Sequence, residues 1–274
     1  MEFCIFPQNR RRKMLGAIIG DIVGSRFERN NIKTKKFELF SQDCRFTDDT
    51  VMSLAVAKAL LDCNGDYNNL GETTVKSMQA VGRLYPDCGY GRQFRSWVQE
   101  ENPKPYNSYG NGAAMRVSAC GLAAKSVDEA KLLSRKVTEV SHNHPEGIKG
   151  AEATAVCIFL AKNGSSILDI RNYVNDNYYP MNFTLDEIRA KYRFNSSCQG
   201  SVPQAIMAFL ESNSFEDSIR NAVSIGGDSD TIAAIAEAYY GIPDELRERA
   251  LAFLDERLLG MLANASKFFY IIPR

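Results

Sequence analysis

A surplus of charge of either sign is missing from this chain: 33 basic residues offset 33 acidic ones over 274 positions. The basic excess with which a nucleic-acid binder neutralises phosphates is therefore absent as a global property, and nucleic acid is not indicated as a partner. No apolar run approaches the roughly 18 residues a membrane-spanning helix needs, so no membrane partner is expected. The seven cysteines (4, 44, 63, 88, 120, 157 and 198) are odd in number and form no Cys-x-x-Cys pair. That argues against a disulfide framework and a structural zinc site, and fits the reducing cytoplasm. Histidine is scarcer still. His142 and His144 are the only two; their spacing places them on different helix faces, and no third His or Cys is near, so zinc is disfavoured. No Gly-x-Gly-x-x-Gly fingerprint followed by a parallel-strand unit occurs, and a dinucleotide fold is not expected. Linkers of low complexity and shifts of composition are absent too, which points to one domain over 14–274. Residues 1–13 hold Arg10-Arg11-Arg12-Lys13 but no apolar stretch long enough for a secretory signal. They read as a loosely ordered leader, with Met14 an alternative start and packing of Phe3–Phe6 on the body left open. No coiled-coil heptad appears, so a monomer is the default.

What is present is helix after helix. Gly16, Gly20 and Gly24 recur every fourth residue in Met14–Gly24, on one face of a helix. Each costs about 1 kcal/mol relative to Ala in a helix interior, which points to another backbone approaching closely. Helical patterns follow from Val51, over Leu70–Leu84, Val127–Val140, Ile148–Ala161, Leu168–Val174, Leu185–Lys191, Val202–Leu210 and Phe215–Val223, and again from Asp244 with Leu246, Ala250, Phe253 and Leu254 at helical spacing, while Phe94–Val98 is a short amphipathic piece. The segment Asn30–Cys44 is polar and basic and reads as a loop or lid. The fold class is all-α, a single compact multi-helix domain.

Two short acidic motifs organise the chain: Thr47-Asp48-Asp49-Thr50 and Gly226-Gly227-Asp228-Ser229-Asp230-Thr231, each just before an Ala-rich apolar run. The second run is expected to continue to Tyr240 and stop at Gly241. One carboxylate at a helix start is explained by capping and by the helix dipole. Two at each of two starts exceed what a cap needs, and like charges in a buried cleft are costly unless a cation joins them. Carboxylates and threonine hydroxyls are hard oxygen ligands suited to Mg²⁺, Mn²⁺ or Ca²⁺. Two such clusters brought together could hold two ions, which points to hydrolysis or transfer on an oxygen-rich substrate. The Gly- and Asn-rich run Tyr106–Val117 precedes a helical start and offers backbone N–H groups to an anion such as phosphate, or is simply a tight turn. For the histidines, a loop contact to substrate and an exposed loop both remain open.

Five pieces in order resemble the ADP-ribosylglycohydrolases: Gly20-Asp21-Ile22-Val23-Gly24-Ser25-Arg26-Phe27-Glu28, Thr47–Thr50, Ser108-Tyr109-Gly110-Asn111-Gly112, Ser141-His142, and Gly226–Thr231. They stretch from about residue 14 to 240, nearly the whole chain. The resemblance implies an all-helical fold around a central cleft with a binuclear Mg²⁺ or Mn²⁺ centre. Its ligands would be Thr47, Asp48, Asp49, Asp228, Asp230 and Thr231, with Glu28, Asp48 and Asp49 serving catalysis. Glu28 matches the family's acidic residue at the site entrance. Ser108, Tyr109, Gly110, Asn111 and Gly112 would cradle the diphosphate and distal ribose, and His142 would touch the ADP-ribose, with His144 not separable from it. Ser229 stands where relatives often carry threonine. The implied activity is metal-dependent hydrolysis of the bond from C1″ of ADP-ribose to a protein side chain or small acceptor.

Two other readings compete. A homologue could keep the fold and bind ADP-ribose without turnover, although all the implied ligands are present. An all-α Mg²⁺-dependent isoprenoid diphosphate enzyme also places acidic clusters on helices, but its Asp-Asp-x-x-Asp pattern fails here, because Asp48-Asp49 is followed by Thr50-Val51-Met52. The sequence does not select the acceptor.

Overall fold

The computed structural model describes residues 14–236 and 242–271. The leader, residues 1–13, and the expected end of the second acidic helix at 237–241 lie outside the described residues. At the centre are two helices with no polar stripe. All residues of α1 (Met14–Gly24) are buried, as are all those of α12 (Ser229–Ala236), and a helix without a solvated face belongs inside the bundle. The two pack backbone to backbone. A Cβ on Gly20 would lie 2.4 Å from the Ala233 carbonyl oxygen, and one on Gly24 would lie 2.5 Å from the Asp230 Cα. The helix cost of these glycines is thus offset by an approach that no side chain permits.

Around this pair stand α2 (Asp48–Asp62), α3 (Leu70–Gly82), α4 (Arg92–Gln99), α5 (Ser118–Ala123), α6 (Val127–Thr138) and α7 (Pro145–Lys162). The series continues with α8 (Ile167–Asn177), α9 (Leu185–Arg189), α10 (Cys198–Leu210) and α11 (Phe215–Ser224). Among the described residues no β-strand occurs, and one isolated bridge joins Gly110 to Ser197. Side-chain caps at Ser126, Ser166, Thr184, Ser197 and Ser214 fix the starts of five helices, each worth about 1 kcal/mol. At Thr184 the cap is reciprocal with Glu187, which helps a helix as short as α9 to form. Likewise Ser197 starts α10 four residues earlier than Val202, where its apolar pattern begins.

The expectation of one continuous helix from Asp244 is corrected. The chain forms α13 (Asp244–Leu251) and α14 (Glu256–Ile271). Asp255 Oδ1 accepts the Leu258 N–H at 2.9 Å, so a new helix start interrupts the apolar periodicity. Phe253 then lies in the turn and stacks on Phe40 with ring centroids 5.9 Å apart. Cys44, Cys63, Cys88, Cys120 and Cys198 are free thiols. No helix among the described residues is long and apolar enough to cross a membrane.

Candidate functional site

The site begins with an acid inside an apolar helix. Asp21, on α1, is wholly buried. Its carboxylate accepts the Thr47 N–H at 2.9 Å, the Thr47 hydroxyl at 2.7 Å and the Thr50 N–H at 3.1 Å, and also the Thr50 hydroxyl. Four donors saturate it, so Asp21 acts as the floor under the first acidic motif.

Above that floor, Thr47 caps α2. Its hydroxyl accepts the Asp49 N–H at 3.2 Å, so neither Asp48 nor Asp49 spends its carboxylate on the cap. Asp48 donates its N–H to the Cys88 carbonyl at 3.0 Å. Its carboxylate lies against Gly89, where an added Cβ would sit 2.7 Å from Oδ1. Asp49 Oδ2 accepts the Thr231 hydroxyl of α12 at 3.2 Å. One carboxylate oxygen from each of Asp21, Asp49 and Asp230 lies within 4.8 Å of the others. Asp228 Oδ2 accepts from Asn111 Nδ2 at 2.7 Å.

The electrostatics are those of unneutralised negative charge. Asp48 is pushed up to about 7, first by burial and then by the charges of Asp21, Asp228 and Glu28. Burial, then Asp21, Asp48 and Asp228, raise Asp49 well above the usual carboxylate range. Burial, then Asp228, Asp49, Asp21 and Glu28, do the same to Asp230. Burial also raises Asp21 and Asp228 against the hydrogen bonds that they accept. Among the described residues, no salt bridge reaches any of the five. Oδ1 of Asp49 is enclosed without a hydrogen-bond partner, which costs about 1–3 kcal/mol if nothing else satisfies it. An orphaned carboxylate oxygen among hard oxygen donors fits a divalent cation such as Mg²⁺ or Mn²⁺.

The second motif is held by the segment after Glu28. Asn31 donates to the Gly227 carbonyl and accepts the Gly227 N–H, both at 2.8 Å. Lys33 donates to the carbonyls of Tyr192 and Ile225. Gly226 and Gly227 have φ of +68° and +83°, and a Cβ on Gly227 would meet the Tyr192 ring at 2.3 Å. Of the segment expected as a loop or lid, this end is strapped to the acidic motif rather than solvated. Lys35 pairs with Asp217 at 2.5 Å.

The Ser108–Gly112 loop reaches the cluster through Asn111. Two of its N–H groups are already used: Gly110 donates to Ser108 Oγ at 3.1 Å and Asn111 to the Ser196 carbonyl at 2.7 Å. A 3₁₀ turn, Asn111–Ala113, follows. The helix expected after Val117 starts at Ser118, beyond that turn, so the Ser108–Gly112 loop itself does not sit on the helix N-terminus. Tyr109 is exposed and meets the His144 ring edge-on, with ring centroids 5.3 Å apart.

The two histidines separate clearly. His144 Nδ1 accepts the Glu146 N–H and caps α7. His142 is buried. Its Nε2 faces the loop, 3.3 Å from where a Gly112 Cβ would stand. Burial, with the nearby Arg116 charge, pushes His142 well below its ordinary value, so the ring is neutral.

The fold therefore gathers Thr47, Asp48, Asp49, Asp228, Asp230 and Thr231, with Glu28 close enough for its charge to act on Asp48, Asp228 and Asp230. Sequence reasoning missed Asp21 and Thr50 as parts of this constellation. The available signal was an Asp in a helix with no other polar residue, where a solvated face is not an explanation. It also missed Asn31, which lies in a polar loop and carries no local signal.

The ADP-ribosylglycohydrolase family model matches residues 8–262. The chain is similar to the ADP-ribosylhydrolase ARH3 of Homo sapiens, 26% identical over 84% of each chain. It is also similar to the ADP-ribosylarginine hydrolase Tri1 of Pseudomonas putida, 25% identical over 84% of this chain and 70% of the relative. A solved structure titled ADP-ribosylglycohydrolase-related protein complex shares the fold with a TM-score of 0.69 at 22% identity, covering 96% of this chain and 98% of that one. With the family model spanning nearly its whole length, this chain belongs to the ADP-ribosylglycohydrolase family.

Proposed function

We propose that the chain is a divalent-metal-dependent hydrolase that releases ADP-ribose from a modified protein side chain or small acceptor by cleaving the bond at C1″. The carrying observation is the convergence of Asp21, Asp48, Asp49, Asp228 and Asp230 from the starts or interiors of three buried helices, with Asp49 Oδ1 left unpartnered. Thr47, Asp48, Asp49, Asp228, Asp230 and Thr231 would hold two Mg²⁺ or Mn²⁺ ions. Such ions supply charge that orients ribose hydroxyls and acidifies water.

The chain's own residues do the rest. Asp48 is only half-buried, unlike Asp49 and Asp230, and so faces the cleft. Its carboxylate is the group that takes the proton of the attacking water. Glu28 stands at the rim, close enough for its charge to act on Asp48. The Ser108–Gly112 loop receives the diphosphate and distal ribose, and its Asn111–Asp228 bond fixes its distance from the carboxylates. His142, neutral, offers a hydrogen bond without bringing charge. Two relatives named for such an activity, an ADP-ribosylhydrolase and an ADP-ribosylarginine hydrolase, support this reading.

Calorimetric titration with ADP-ribose, with and without Mg²⁺ or Mn²⁺, followed by turnover of arginine- and serine-linked conjugates, tests it. Metal-dependent binding and release, both lost in Asp48→Ala and Asp230→Ala with helical CD intact, are expected. Full activity of both variants, or turnover indifferent to EDTA, overturns the site assignment. Binding without release from any conjugate would instead identify a non-catalytic ADP-ribose binder.

A further inference from the structure

Arg116 is buried to 1% exposure, yet among the described residues no carboxylate pairs with it. Its Nη2 donates to Ser141 Oγ at 2.7 Å and, more loosely, to the carbonyls of Val137 at 3.4 Å and Thr138 at 3.5 Å. Nε has no partner, and the guanidinium centre lies 5.6 Å from the Phe94 ring centroid. Burial lowers Arg116 to about 10, so it remains a cation at neutral pH. An enclosed guanidinium without a counter-ion is costly, and its best hydrogen bond goes to one serine.

That bond has a chemical consequence. Arginine has donors only, so Ser141 Oγ accepts from it, and among the described residues the single hydroxyl proton of Ser141 has one acceptor left to it, its other neighbour. That neighbour is His142 Nδ1, at 2.9 Å. Nδ1 is then the acceptor, and the proton of the neutral ring resides on Nε2. Nε2 is the nitrogen on the side of the ligand loop, 3.3 Å from a Cβ built on Gly112 and 3.7 Å from one built on Gly110. Among the described residues Nε2 has no hydrogen-bond partner. Side chains at Gly110 and Gly112 would crowd its outward path.

We propose that Arg116 and Ser141 are positioning residues that lock His142 in the Nε2–H tautomer, so that His142 is a neutral hydrogen-bond donor aimed across Gly110–Gly112 at a phosphate or ribose oxygen of the bound ligand. The ligand half rests on the proposed function; the tautomer half does not. Neither Arg116 nor Ser141 touches the ligand. Their effect is on which ring nitrogen carries the proton.

Because the chain has two histidines, nitrogen-15 NMR of the ring nitrogens reads the tautomer directly. His144→Asn assigns the signals and keeps a capping side chain. The wild-type protein is expected to show Nε2 protonated and Nδ1 bare. Ser141→Ala should give a mixed or inverted tautomer and weaken ADP-ribose binding in Mg²⁺ about tenfold, the value of one hydrogen bond of about 1.4 kcal/mol. Its affinity for Mg²⁺ alone should stay unchanged. Arg116→Lys keeps a donor to Ser141 and should retain the tautomer, whereas Arg116→Met should not. If Arg116→Met does not fold, Ser141→Ala breaks the same chain of bonds with a smaller change. Protonation at Nδ1 in the wild type, or a pure Nε2–H ring in Ser141→Ala, overturns the relay. The expected tautomers with no ADP-ribose binding by the wild type would overturn the functional reading and leave the relay standing.

Discussion

The Thr47 hydroxyl donates to Oδ1 of Asp21 at 2.7 Å, joining two residues 26 positions apart. This bond orients the first acidic motif. With its proton directed down to Asp21, the Thr47 oxygen turns lone pairs toward the Asp49 N–H and into the cleft. Asp21 thus stands behind the site. It determines how Thr47 and Thr50 are held without needing to face a ligand.

Asp21→Ala leaves four donors of Thr47 and Thr50 without their acceptor. An unsatisfied buried donor costs about 1–3 kcal/mol, so the loss should exceed about 3 kcal/mol, offset in part by relief of the charge on Asp48 and Asp49. Asp21→Asn keeps one acceptor oxygen but turns an amide donor toward N–H groups, and should also destabilise, by less. Denaturant unfolding in EDTA checks the order. Wild-type stability in Asp21→Ala would refute the role of Asp21 as the floor of the motif.

The metal-free protein should become less stable as pH rises. Asp48 is raised from 3.8 to about 7, and Asp49 and Asp230 are raised well above 3.8. The folded state therefore holds protons that the unfolded chain has released. A raised acid contributes stability that is fully present below its unfolded pKa and is lost as pH climbs through the folded one. For Asp48 that window runs from about 4 to about 7. Thermal midpoints in EDTA should fall across it, and saturating Mg²⁺ should flatten the slope by favouring the ionised carboxylates. A midpoint in EDTA that rises between pH 5 and pH 7, roughly the upper part of that window, would count against the buried cluster.

Much of this was legible in the sequence because local chemistry and tertiary role coincided. Gly20 and Gly24 announced a close helix pair, and the doubled acids at 48–49 and 228–230 stood out against what a cap requires. Asp21 was not legible as a site residue, because its partners arrive from a different helix and the glycine rhythm around it explained the stretch as packing. The break at Asp255 was hidden by apolar residues that kept helical spacing through a turn. Asn111 was legible as part of a glycine-rich loop, but the bond from its amide to Asp228 was not, because the acceptor stands 117 positions away. These omissions have one source: periodicity reports which face is buried, not which distant group meets it.

Two glycines, one in the α1–α12 seam and one outside it, make a sharp contrast. Gly20→Ala places a methyl 2.4 Å from the Ala233 carbonyl oxygen, and backbone rather than a flexible side chain must yield. Overpacking of this kind costs about 1–3 kcal/mol or more. Since α12 carries Asp230 and Thr231, the displacement should also weaken Mg²⁺ binding. Gly260→Ala, at an exposed position inside α14, meets nothing within 4 Å and should stabilise by about 0.4–1 kcal/mol. Equal stabilities for the two variants would contradict the packing described.

The histidine pair divides into a cap and a ligand contact, and opposite variants should show it. His144 Nδ1 accepts the Glu146 N–H at 3.1 Å, so His144→Ala should cost about 0.5–1 kcal/mol in unfolding free energy. His144→Asn should recover most of that, and ADP-ribose affinity should change little in either. His142→Ala leaves the α7 cap in place and removes the ring nitrogen that stands 3.3 Å from a Cβ built on Gly112. Its ADP-ribose affinity in Mg²⁺ should fall about tenfold, one hydrogen bond's worth. His142→Gln, which retains an N–H donor on a longer stem, should recover part of it. Should His144→Ala weaken ligand binding more than His142→Ala, Nε2 of His142 is not the donor, and the exposed Tyr109 edge beside His144 becomes the contact to follow.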